Sequence, residues 1–91
     1  MNIQAEVSLY PLRIGELGTA LHAFLATLQE SGLEVQAGHM SSMVTGEAET
    51  VFTAAGRAFS AAAQNHEVVL VLKASNACPS NKERNTDTWP H

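Results

Sequence analysis

The chain predicts an α+β sandwich: one four-stranded antiparallel sheet with two helices on one face. Three observations predict it. Short runs of period two and two longer runs of helical period follow one another as strand, helix, strand, strand, helix, strand. Right-handed crossovers place both helices on the same side and give the strand order four, one, three, two. The 91 residues are enough for one such core and too few for two domains.

The first strand spans residues 3–9. Ile3, Ala5, Val7 and Leu9 point one way, and Gln4, Glu6, Ser8 and Tyr10 the other. Pro11 is expected to end it, because proline cannot donate to the ladder. Gly15 to Ser31 carries the helical period. Leu17, Leu21, Leu25 and Leu28 form its stripe, with Ala20 and Phe24 beside them. Glu16 suits the positive end of that helix, and Gly32 is its expected left-handed stop.

Leu33, Val35 and Ala37 then alternate with Glu34, Gln36 and Gly38. A tight connection near Gly38-His39 leads into a third strand over residues 40–46. Glu47 to Gln64 reads as the second helix, with Glu47 and Glu49 in its first turn. Phe52, Ala55, Phe59 and Ala62 are its expected apolar stripe. Glu67 to Ala74 is the last strand, and Ser75 to His91 is polar and without period. This is the ferredoxin-like arrangement, with the domain over residues 1–79 and a polar tail over 80–91.

Composition narrows the function classes. An apolar fraction of 45% with 15% charged residues argues against a disordered chain. Nine acids against five bases give a net charge of −4, unsuited to general binding of nucleic acid. One cysteine, Cys78, excludes an intramolecular disulfide and any metal site built on paired cysteines. The four histidines have no metal-ligand spacing. The strongly apolar run Val68–Leu72 is far too short to cross a bilayer, and no basic segment precedes an apolar core at the N-terminus. A cytoplasmic location is the expectation.

Two features bear on binding. The last strand is apolar on both faces, since Val69 and Val71 cannot point the same way as Leu70 and Leu72. Something is expected to cover part of the open face, and a second copy is the simplest cover. On that face Gln4, Glu6, Ser8 and Tyr10 of the first strand meet Ser41, Met43 and Thr45 of the third, a set able to hold a small polar heterocycle. Alternation alone gives polar outward residues on any antiparallel sheet, so this set does not by itself separate a pocket from a solvated face. His39, at the hairpin connection, is the one histidine placed to reach it. Cys78 has neither a helix N-terminus nor a cation nearby in sequence and reads as structural.

Several segments together carry a resemblance. They are Ser8-Leu9-Tyr10-Pro11, the run from His39 to Gly46, Ser75-Asn76-Ala77-Cys78-Pro79, and Val51-Phe52 opening an alanine-rich helix, with Asp87-Thr88 in the tail. In these the chain resembles the YkoF-like family of thiamine- and hydroxymethylpyrimidine-binding proteins. The resemblance implies a ferredoxin-like fold that binds the vitamin or its pyrimidine precursor without catalysis or cofactor, in support of uptake or salvage. With a single repeat, the chain would act as a homodimer or higher homo-oligomer. Ser8, Tyr10, His39, Ser41 and Cys78-Pro79 stand on matching positions. The rival expectation is a small dimeric α/β-barrel enzyme using His39 or Glu6 as acid or base on an aromatic substrate. It lacks a second convergent titratable group. A module that binds only protein is a third possibility.

Overall fold

The structure is a computed structural model that describes residues 1–13, 15, 17–38 and 41–77. Its elements run β1 (Asn2–Pro11), α1 (Leu17–Glu30), β2 (Glu34–Ala37), β3 (Ser42–Glu47), α2 (Ala48–Ala63) and β4 (Val68–Ser75). They form one antiparallel sheet in the order β2-β3-β1-β4, the expected order read from the other edge. β1 is paired on both edges, with Ala5 opposite Val44 on one side and Ala74 on the other.

The alternation in β1 sorts the two faces cleanly. Ile3, Ala5, Val7 and Leu9 are buried, and the residues between them are not. The helices lie against the buried face. α1 contributes Ala20, Phe24 and Leu28 to the core, while Leu21 and Leu25 pack at its margin. Leu21 and Leu25 thus flank the contact line, which runs through Ala20, Phe24 and Leu28 at i, i+4 and i+8. The side chain of Leu17 and residue Glu16 lie outside the described residues.

On α2 the expected stripe is corrected by about one residue. Val51, Ala54, Ala55, Ala58 and Ala62 are buried, Phe59 is half-buried, and Phe52 is 53% exposed. The reason is space. α2 packs against both α1 and the sheet, and an alanine row admits the close approach that a phenylalanine would block.

Local signals set the ends. Gly32 has φ +85, the left-handed stop expected after α1, and the Ser31 and Gly32 amides donate to the Leu28 and Gln29 carbonyls. The second helix starts one residue later than expected. Glu47 is its N-cap, in extended conformation, and makes no side-chain cap. The Glu47 carboxylate instead meets the Met1 ammonium at 2.6 Å, and the Ala48 amide donates to the Met1 carbonyl at 2.9 Å. One orphan amide of the helix start is therefore satisfied by Met1, the residue before β1.

Other bounds shift slightly. Pro11 is itself the last paired residue of β1, opposite Val68, and Ser75 belongs to β4, opposite Gln4. β2 begins at Glu34, and the hairpin closes where the Gly38 amide donates to the Ser41 carbonyl at 2.9 Å. A Cβ on Gly38 would lie 2.8 Å from that carbonyl oxygen, so the connection requires glycine.

The corrected stripe has a measurable consequence. Phe24→Ala is expected to cost about 3–5 kcal/mol by opening a core cavity. Phe52→Ala is expected to cost under about 1 kcal/mol, as exposed positions do. Urea unfolding of the two variants checks the pair.

Candidate functional site

The sheet face away from the helices is uncovered by the described residues, and its side chains form a grid set by register. Glu34, Thr45, Gln4 and Ser75 make one row from β2 to β4. Gln36, Met43, Glu6 and Lys73 make the next. Ser8 beside Val71 and Tyr10 beside Val69 continue along β1 and β4, past the last β1–β3 pair at Val7 and Ser42.

Glu6 stands at the centre of this grid and is held from two sides. The Ser41 hydroxyl donates to its Oε2 at 2.8 Å, reaching across from the start of β3. Lys73 Nζ lies 3.4 Å from Oε1, reaching across from β4. The hydrogen bond from Ser41, then the hydrogen bond and charge of Lys73, hold the Glu6 carboxyl below its ordinary range. Both members of the ion pair keep solvent contact, with side chains 41% and 75% exposed, so the pair is weak and exchangeable.

The structure brings together Gln4, Ser41, Met43 and Thr45 of the expected set, all half-buried around Glu6. Ser8, also half-buried, follows Glu6 on the same face of β1 beside Val71, and only Tyr10 lies apart from the set, toward the far end of β1, where Tyr10, Val69 and Val71 are 50%, 45% and 44% exposed. His39 and the Cys78-Pro79 pair lie outside the described residues. Sequence reasoning left out Lys73. Its signal was its shared parity with Val69 and Val71, which with the strand order and register puts it beside Glu6.

A concavity lies in the other layer. Thr27, Glu30 and Ser31 of the α1 end and Glu49, Thr50, Thr53 and Arg57 of α2 line an open groove of about 540 Å³. Among the described residues, none of the expected binding residues lines it. The open sheet face has the more chemically directed set, a carboxylate ringed by amide, hydroxyls and thioether. No group of three or more His, Cys, Asp or Glu able to hold a metal occurs among the described residues.

The Glu6 contacts make stability depend on pH. Because its folded-state pKa is lowered, the carboxylate stabilises the fold above the ordinary carboxylate range. That contribution is lost as pH falls through the lowered pKa. Glu6→Gln is expected to flatten the acid limb of the stability–pH curve at and below that range, as followed by urea unfolding across pH.

The fold is shared with solved structures. The chain superposes on a hypothetical protein from Methanocaldococcus jannascii with a TM-score of 0.78 and 20% identity, covering 91% of this chain and 87% of that one. It superposes on a "putative thiamine biosynthesis/salvage protein" from Thermotoga maritima with a TM-score of 0.75 and 17% identity, covering 81% and 82%. A domain of unknown function from Bacillus cereus gives 0.75 at 20% identity, covering 88% and 79%. At such identities these likenesses speak to the fold alone. No curated protein gives a significant match. The sequence model of the YKOF-related family matches residues 2–81, and the chain belongs to that family.

Proposed function

We propose that the chain binds thiamine or its hydroxymethylpyrimidine precursor on the open sheet face, between two copies of itself, in support of uptake or salvage and without catalysis. The observation that carries this reading is the patch around Glu6. Gln4, Ser41 and Thr45 supply donors and acceptors for the aminopyrimidine edge, and Met43 supplies a polarisable surface for the ring. Glu6, exchanging or sharing its weak, solvent-exposed contact with Lys73, supplies the counter-charge for a thiazolium. Membership in the YKOF-related family and the likeness to the Thermotoga maritima protein support the choice of ligand.

Enclosure is the second part of the reading. Micromolar binding takes about 8 kcal/mol, and net hydrogen bonds of about 1 kcal/mol each on an open face fall short of it. The exposed Tyr10, Val69 and Val71 beside the patch offer an apolar strip for a second copy, which would wall the ligand in. Tyr10 then adds an aromatic surface at the margin. His39 stays a candidate contact from the hairpin.

Glu6 fits a charge partner better than a catalyst. A carboxyl held below its ordinary range is a poor general acid near neutral pH and a weak base. Ligand recovered unchanged after prolonged incubation, by mass spectrometry, is the expected outcome. Conversion of the ligand would favour the small-barrel enzyme.

Titration calorimetry tests the site. Ser41→Ala and Thr45→Ala are each expected to weaken binding by about 1–3 kcal/mol, with little change in melting temperature. Unchanged affinity in both would move the pocket elsewhere. Val71→Lys is expected to turn a dimer into a monomer by light scattering and to lower affinity with it, since it would bury a charge without a partner.

A further inference from the structure

Lys73 is the only lysine or arginine within the four strands, and its ammonium is paired with Glu6. The pair is thus self-neutralised before any ligand arrives. A ligand carrying one positive charge must share Glu6 with Lys73 or displace it, and either way two cations come side by side. A ligand carrying a positive and a negative group exchanges with both partners at once. Its cation takes Glu6 and its anion takes Lys73, so charge balance is kept.

The side chains suit that exchange. The ion pair is solvent-exposed and therefore weak, and lysine is a mobile point charge on a flexible four-carbon stem. Lys73 sits on β4, the sheet edge, 75% exposed, so its ammonium can follow an anionic group outward. Lysine serves readily as a phosphate partner in this role. The net charge of −4 gives no general attraction for phosphate, so any preference for it would be local.

We infer that the Glu6–Lys73 pair selects a dipolar ligand, an organic cation carrying a tethered phosphate, over the same cation without it. This rests on the open face being the ligand site. The side-by-side placement on adjacent strands, with Ser41 fixing the other carboxylate oxygen, is what assigns each residue its partner.

The test is a comparison of thiamine monophosphate with thiamine on the full chain at low ionic strength, by calorimetry. The wild type is expected to bind the phosphate ester about fivefold more tightly, the scale of one exposed charge pair. In Lys73→Gln the ratio is expected to fall to about one, and in Arg57→Gln, on the helix layer, to stay as in the wild type. Added salt is expected to shrink the wild-type ratio. Wild-type binding of both compounds with equal affinity, or a ratio that survives Lys73→Gln, overturns the inference while leaving the site standing. Binding of neither compound overturns the site and the inference with it. Thermal melts of the variants confirm that the comparison is made on folded protein.

Discussion

β1 is hydrogen-bonded along both edges, and its register against β3 and β4 fixes what every other part of the molecule can do. A strand has a period of two, so a slip of one residue would exchange its faces. In the observed register Ile3, Ala5, Val7 and Leu9 meet the helices, and Gln4, Glu6, Ser8 and Tyr10 are left outside. The alternative would bury Glu6 against Phe24 and Leu28 and is excluded by the cost of an unpaired buried carboxylate. The same force that builds the core therefore places the carboxylate on the free face.

Once there, Glu6 organises its surroundings. It is approached by the Ser41 hydroxyl from just before β3 and by the Lys73 ammonium from β4, so groups beside or on both neighbouring strands meet at one polar centre. The flanking Tyr10, Val69 and Val71 are apolar and exposed. Polar centre and apolar margin together suit a small charged ring shielded by a second body. The helical layer has its own polar groove, but its lining residues sit on helix surfaces whose inner sides already serve the core.

Much of the fold was legible in the sequence because its signals are local. Alternation in β1, the left-handed glycine at Gly32 and the strand order all appear as read. The second helix was legible as a helix but not in its orientation. Apolar residues occur all around it, and its buried side was decided by how closely α1 and the sheet approach, a property of packing between elements. The site was legible in part for the same reason. Gln4, Ser41, Met43 and Thr45 share a face by parity alone. That Ser8 and Tyr10 run past the end of β3, and that Lys73 reaches Glu6, depend on pairing register between strands distant in sequence. Nothing in the local sequence fixes that register.

The central claim is that the ligand sits on the sheet face and not between the helices. Amide chemical-shift mapping during a thiamine titration locates it most directly. The account predicts that the largest shifts cluster at Gln4, Glu6, Met43, Thr45 and Lys73, with the α1–α2 groove undisturbed. Shifts concentrated at Thr27, Thr50, Thr53 and Arg57, with β1 and β3 silent, would contradict it.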